Sequence, residues 1–339
     1  MINSILIHPA DSGGCYHYRL GMPARALIFG KKAEQVAEAP FYLPDDDFEG
    51  QDGTKYKGLL TLKPDLIMIQ RQFSDGQPEF VEKYLKAGFT VGHDLDDYLW
   101  KVPASNPFIN AFGPKGRKNL ARVLRAVNFC TVSTEPLRDA IQNELGIESR
   151  VVPNFVSVQH FRQPRRRDYS RKLKVGWAGS PTHTRDLAPL FSVIRQTQDI
   201  FEWHFLGWHP EGLGDSVIFH PPAKVQDYMN ALYGMDLDVA IAPLEDNLFN
   251  ECKSHLKLLE FSALGMPVIC SDVYPYKESP TPLVKPSNTQ WKTWREILDS
   301  YDEDEELRLR DAWAHYSWAY RYVLENSYNI DIIERGWTP

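Results

Sequence analysis

Short apolar runs alternating with helical stretches, in two successive rounds, constrain this chain more than any other feature. Ser4-Ile-Leu-Ile-His8, Pro64-Asp-Leu-Ile-Met-Ile-Gln70, Phe89-Thr-Val-Gly-His-Asp94 and Asn128-Phe-Cys-Thr-Val-Ser-Thr134 make the first round. Leu173-Lys-Val-Gly-Trp-Ala-Gly179, Phe201-Glu-Trp-His-Phe-Leu-Gly207, Met235 to Pro243 and Val268-Ile-Cys-Ser271 make the second. Such runs are too short for helices of their own and suit strands buried on both faces. Helical spacing lies between them, as at Tyr16 to Ile28, Glu79 to Lys86, Glu135 to Leu145 and Lys253 to Leu264. Strand, helix, strand in this rhythm predicts parallel sheets with helical crossovers. At 339 residues the chain exceeds one ordinary core, so two domains are expected. Phe161 to Lys172, polar and without periodicity, reads as the linker between them.

Bulk properties narrow the function. No apolar run approaches the roughly 20 residues of a membrane helix, and the N-terminus lacks a basic segment followed by an apolar core, so a soluble cytoplasmic protein without a membrane span is expected. The four cysteines, Cys15, Cys130, Cys252 and Cys270, have no paired spacing for zinc or redox chemistry. A formal net charge of −7 gives no general pull toward nucleic acid, although basic runs occur at Lys115 to Arg125 and at Arg165-Arg-Arg167.

The densest chemistry falls between Asp246 and Asp272. Leu256, Leu259, Ala263 and Leu264 recur at helical spacing, while Lys253, Lys257 and Glu260 share another side. Gly265 stops this helix, Pro267 forbids its continuation, and a buried strand follows. In front of the helix lie Asn247, Asn250, Glu251, Lys253 and Ser254. These residues can meet an anion at the helix mouth, where free N–H groups and the dipole favour phosphate. Glu260, further in, is placed to accept hydrogen bonds from a diol such as a ribose. The alternative is a solvated Lys257–Glu260 pair on an amphipathic helix.

Lys257-Leu-Leu-Glu260-Phe-Ser-Ala-Leu-Gly265-Met-Pro267-Val-Ile resembles the signature of family 4 glycosyltransferases, which reads roughly K-x-x-E-[YFA]-x-A-x-G-x-P-V-[IV]. The resemblance implies the GT-B fold, two Rossmann-like parallel-sheet domains facing across a cleft. It also implies sugar transfer from a nucleotide diphosphate donor of UDP or GDP type, with retention at the anomeric carbon and no metal or other cofactor. Such enzymes carry a first acid eight positions before the second, where this chain has Cys252 with Glu251 beside it. The implied division is an acceptor domain over 1–160, a linker over 161–172, a donor domain over 173–310 and a terminal helix within 311–339 that packs back on the first domain through the aromatic surface from Trp313 to Tyr322.

The first strand leads into Asp11-Ser-Gly-Gly-Cys15, where Gly13 and Gly14 allow close backbone approach to a ligand, though the full dinucleotide fingerprint is absent. The resemblance turns this loop toward the donor phosphates. After the third expected strand comes His93-Asp-Leu-Asp-Asp97. Asp94, Asp96 and Asp97 there suit acceptor binding and proton handling, or a D-x-D metal site, or the acidic start of a helix. By resemblance His93 contacts the transferred sugar, and Arg185, His183 and Lys253 neutralise the departing diphosphate. The backbone from His220 to Pro222 would seat the nucleobase. The expected partners are therefore a nucleotide-sugar donor and an acceptor that is either a saccharide or polysaccharide or, as in some phage enzymes, a hydroxymethylated DNA base. A non-catalytic nucleotide-sugar binding module is the alternative.

Overall fold

The computed structural model describes residues 2–39, 64–104, 106, 109, 112–285 and 291–339. The chain forms two compact units. Residues 1–100, 110–154 and 324–339 make the first, and residues 101–109 and 155–323 make the second.

In the first unit six parallel strands lie in the order β2-β1-β3-β4-β5-β6, comprising β1 (Ile2–His8), β2 (Ala33–Glu38), β3 (Leu66–Gln70), β4 (Val91–Leu95), β5 (Phe129–Val132) and β6 (Arg150–Val151). Every residue of β3 and β4 is buried, as the unbroken apolar runs require. Ile67, Ile69 and Val91 pack with Val81 and Tyr84 of the helix Gln77–Lys86 and with Val123 of the helix Pro114–Ala126. The helix Glu135–Leu145 falls where its pattern predicts, with the Thr134 hydroxyl capping Leu137 N at 3.3 Å and Gly146 closing it at φ 68°. β2 was not expected, because Ala33-Glu-Gln-Val-Ala-Glu38 is an edge strand exposed along most of its length and lacks an apolar run. The expected helix from Tyr16 to Ile28 is interrupted by a π turn over His17–Gly21, which rolls Arg19 into the interior.

In the second unit β7 (Leu173–Ala178), β8 (Phe201–Leu206), β9 (Ile218–His220), β10 (Val239–Ala242) and β11 (Val268–Cys270) form a parallel sheet ordered β11-β10-β7-β8-β9. Its core gathers Trp177, Trp203, Phe205, Ile241 and Ile269 with Leu298 of the helix Trp291–Glu303. Gly265, at φ 76°, needs to be glycine twice over, since a Cβ there would sit 2.5 Å from the Arg162 carbonyl oxygen. Both sheets are doubly wound parallel sheets of Rossmann type, as the alternating pattern predicts.

Two boundaries differ from expectation. Residues 161–172 do not stand apart but pack into the second unit, because their arginines find carboxylates there. Arg165 pairs with Asp236, Arg166 with Glu306 at 2.7 Å and Arg167 with Asp302 at 2.5 Å. The aromatic surface from Trp313 to Tyr322 also stays within that unit, where Trp318 lies 5.4 Å from the His255 ring and Tyr316 lies 5.5 Å from Phe161. Chain returns to the first unit only from Leu324, as the helix Ser327–Trp337. There Lys32 pairs with Asp331 at 3.0 Å and Glu334 at 2.7 Å, and Arg150 donates to the terminal carbonyls of Arg335 and Gly336. Among the described residues no helix is long and apolar enough to cross a membrane.

Candidate donor and acceptor sites

The strand order of the second unit reverses between β7 and β10, so the loops leaving their carboxyl ends diverge and open a crevice, the usual seat of ligands in such sheets. Residues 179–187 follow β7 and residues 243–255 follow β10. Asp186 ties the two loops together. Its Oδ1 accepts from Glu245 N and from Asn250 Nδ2, both at 2.9 Å, and its Oδ2 meets His183 Nδ1 at 2.7 Å. Asn247 caps the short turn Leu248–Glu251 through Asn250 N at 2.9 Å, and Asn250 Nδ2 also donates to the Glu245 carbonyl at 3.0 Å. The buried Asn250 amide thus shapes the loop from within, whereas ligand contact was expected of it.

The helix Leu256–Ala263 begins at the mouth of this crevice. Lys257 reaches under the loop after β7, donating to the Ala178 carbonyl with its ammonium 5.3 Å over the Trp177 ring. Burial pushes its pKa down to about 8, with Lys253 adding to the effect and Glu260 opposing it. Glu260 is 3% exposed and accepts a hydrogen bond from the Tyr228 hydroxyl at 3.3 Å. Burial and then the Glu260 charge hold the Tyr228 phenol protonated, which keeps it a donor. Lys253 lies 4.6 Å over Phe249. Ser254 and Glu251 are half-buried beside it. Arg185 is 60% exposed, lies 3.5 Å from Glu245 and lines an open pocket of about 460 Å³ with Asn247 and Phe249. Lys257 feels the charges of Lys253, Asp186 and Glu260, and His183 those of Lys257, Lys253 and Asp186.

His183 differs from the expectation of a phosphate-facing cation. Burial pushes its pKa down to about 4, Lys257 lowers it further, and the Asp186 hydrogen bond only partly restores it. A neutral imidazole follows at physiological pH. The backbone expected to seat the nucleobase begins at His220, whose carbonyl accepts from Gly207 N at 2.9 Å.

The first unit reverses strand order between β1 and β3. After β1, Asp11 accepts from Gly13 N at 2.7 Å, and a Cβ on Gly14 would meet nothing within 4 Å, so packing does not demand glycine there. Beyond β4 the acidic run divides. Asp94, expected as a catalytic carboxylate, is 0% exposed. It takes Arg19 Nη2 at 2.7 Å, Arg19 Nε at 3.0 Å and the Thr131 hydroxyl at 2.7 Å. Arg19 goes on to Val152 O at 2.6 Å and Asn154 Oδ1 at 2.9 Å. Fully enclosed, Asp94 holds the sheet end together and is out of reach of a substrate. Asp96 and Asp97, which are half-buried, share Arg71 at 2.7 Å each. Each aspartate of the Asp94-Leu-Asp96 pair faces an arginine, and no group of three or more His, Cys, Asp or Glu side chains that could hold a metal occurs among the described residues.

His93 is buried and neutral, its pKa pushed down to about 4 by burial against the pull of Asp94. Its Nε2 accepts from Gln72 N at 3.4 Å, so the proton sits on Nδ1. Among the described residues, that Nδ1, Gln70 Oε1 and Gln72 Oε1 are buried without a hydrogen-bond partner, at the ends of β3 and β4. Arg71 holds φ 50°, an uncommon conformation for a non-glycine residue and one that concentrates at functional sites. Arg71, Arg19, Asp186 and Tyr228 carried no sequence signal, since each acquires its role from partners 25 to 75 positions away.

No protein-family model matches the chain, and no curated protein matches it. Solved structures do. Sucrose-phosphate synthase from Thermosynechococcus elongatus aligns over 97% of this chain and 96% of its own at TM-score 0.63 and 13% identity. A glycosyltransferase from Rickettsia africae ESF-5 aligns over 98% and 96% at TM-score 0.62 and 12% identity. An alpha-glucosyltransferase solved with UDP-glucose and DNA containing an abasic site aligns over 95% and 96%, also at 0.62 and 12%. At such identities the shared property is the fold, and this chain has the two-unit Rossmann-like fold of these glycosyltransferases.

Proposed function

We propose that the protein transfers a sugar from a nucleotide diphosphate donor of UDP or GDP type to a hydroxyl acceptor, with retention and without a metal. One observation carries this reading. At the switch point of the second sheet a buried carboxylate, Glu260, lies one helical turn from Lys257, whose neighbour Lys253 stands at the helix mouth. The carboxylate suits a ribose diol and the cations suit a diphosphate, in the crevice where doubly wound sheets bind nucleotides. Departure of the nucleoside diphosphate builds negative charge, and Lys253 with the exposed Arg185 would stabilise it as it forms. We assign a front-face attack assisted by the leaving group, as the resemblance to family 4 glycosyltransferases implies. For the acceptor hydroxyl we assign Asp96, Asp97 and the polar group around His93. The similarity to sucrose-phosphate synthase and to an alpha-glucosyltransferase supports a sugar-transfer activity.

A saccharide acceptor is the first choice, because several cations of the basic runs are matched by acids. Lys115 pairs with Asp75 at 2.5 Å, Arg122 with Glu79 and Glu82, and Arg165 to Arg167 with Asp236, Glu306 and Asp302. A hydroxymethylated DNA base is the second, favoured by the neighbour solved with DNA and by the weakness of exposed ion pairs, which can exchange for phosphates.

The deciding experiment incubates the purified chain with a panel of UDP- and GDP-sugars, with glycans or duplex DNA as acceptors, and measures released nucleoside diphosphate. Release from none of the donors, with no nucleotide binding, would sink the reading. Activity should survive a chelator unchanged; its loss would restore a metal to the mechanism. Glu260→Ala should raise the nucleotide Kd by roughly 10- to 100-fold, since hydrogen bonds to a buried charge are lost. Unchanged affinity would remove Glu260 from the site.

A further inference from the structure

Asp186 spends its two carboxylate oxygens on opposite tasks. Oδ1 gathers the donors Glu245 N and Asn250 Nδ2 of the loop after β10, while Oδ2 takes the ring of His183, whose side chain keeps 15% exposure. A carboxylate has no proton to give, so the 2.7 Å contact is a hydrogen bond donated by His183 Nδ1. Nε2 then carries the lone pair of the neutral ring. Lys257 and Lys253 impose their positive charge on the ring, and Asp186 is the anion that faces it. Burial first, and then the two ammoniums, disfavour a second proton on Nε2, so the ring offers an acceptor and no donor. A phosphate oxygen, itself an acceptor, finds no partner there.

We propose that His183 reads a hydroxyl of the bound nucleotide sugar through Nε2, and that Asp186 is the positioning residue that fixes this tautomer while anchoring the loop of residues 245–250. The assignment rests on the glycosyltransferase reading and changes one part of it, moving His183 from the diphosphate to a hydroxyl of the ribose or of the transferred sugar.

Asp186→Asn separates the two tasks. The asparagine carbonyl can still accept from Glu245 N and Asn250 Nδ2, which leaves its amide nitrogen to donate to His183 Nδ1. The proton of the ring is thereby forced onto Nε2, and the acceptor becomes a donor. In the full chain, 15N spectra should show a pyridine-like His183 Nε2 that turns pyrrole-like in Asp186→Asn. His183→Phe should weaken nucleotide-sugar affinity about tenfold, the scale of one neutral hydrogen bond. His183→Gln, whose side-chain carbonyl can stand in for Nε2, should recover part of that loss. Asp186→Asn should match His183→Phe, and the double variant should be no worse than either single one. Weakened UDP would place the hydroxyl on the ribose, and weakened UDP-glucose with unchanged UDP would place it on the sugar.

Calorimetry of UDP binding at pH 7 in two buffers of different ionisation enthalpy supplies the opposing test. Wild type and His183→Gln should take up the same number of protons, because Lys257 contributes equally to both. One extra proton bound by wild type would mean that His183 becomes an imidazolium on the phosphates, and the proposal would be overturned. An unchanged tautomer in Asp186→Asn, or full affinity in His183→Phe, would overturn it as well. If the wild-type chain binds no nucleotide at all, the glycosyltransferase reading fails, and the hydroxyl assignment fails with it. The 15N spectra still decide whether Asp186 sets the tautomer.

Discussion

Asp94→Ala should destabilise the first unit by about 3–5 kcal/mol, the usual cost of removing one member of a buried ion pair. Arg19, 2% exposed, would remain enclosed with the Val152 carbonyl and Asn154 as its hydrogen-bond partners and only the more distant Asp96 as a counter-charge. For a unit of this size the midpoint of thermal unfolding should fall by about 10 °C. Arg19→Met should do comparable damage, since it strands the carboxylate. The double replacement Arg19→Met with Asp94→Leu should recover most of the loss, because a buried pair is more costly to break than to replace with apolar groups of similar size. Thermal and urea denaturation of the four proteins checks this cycle. A wild-type midpoint in Asp94→Ala combined with abolished transfer would return Asp94 to the chemistry and dismiss its structural role.

Asp94 also shows where reading the chain alone stops. Three aspartates in four positions look alike in the sequence, and what separates them is the surroundings that folding brings. Asp94 is the last residue of β4 paired with β3, across from Gln70, and β5 sets Thr131 directly beside it. Asp96 and Asp97 lie just past the strand, where Arg71 can reach them. The strands were legible because both-face burial writes itself as unbroken apolar runs, and β2 was missed because an exposed edge does not. The helix Leu256–Ala263 was legible through its period and its Gly-x-Pro stop. The π turn that buries Arg19 has no comparable signature, and neither does the link from Asp186 to Asn250, which spans 64 positions. The linker failed for a related reason. Polar composition predicts solvent, yet Arg165, Arg166 and Arg167 each meet an acid that the sequence places 71 or more residues away.

Nucleotide affinity should fall as pH rises through about 8, more than two units below the range of an ordinary lysine, because Lys257 then loses its proton. The cause is first its burial beneath the loop after β7, then the neighbouring Lys253, against which Glu260 pulls in the opposite sense. In the proposed donor site a diphosphate binds the ammonium form, so above that pH each further unit should weaken UDP by up to tenfold, and below about 7 the affinity should be flat. Stability of the free protein should move the other way. Between pH 8 and the ordinary lysine range the unfolded chain holds a proton on this side chain that the folded chain has released, and stability rises with pH wherever the unfolded state binds more protons. Rising pH thus relieves the cost of burying Lys257 in the folded state and disfavours nucleotide binding over the same interval, a pairing that a titrating group on the nucleotide would not produce. Lys257→Met should remove both trends together and weaken UDP at pH 7 by roughly 10- to 100-fold, as for the loss of a charge-assisted contact. UDP titrations and urea denaturation at half-unit steps from pH 6.5 to 10 measure both. Should the affinity profile survive Lys257→Met unaltered, another group carries it, and the ammonium at the start of this helix has no part in holding the diphosphate.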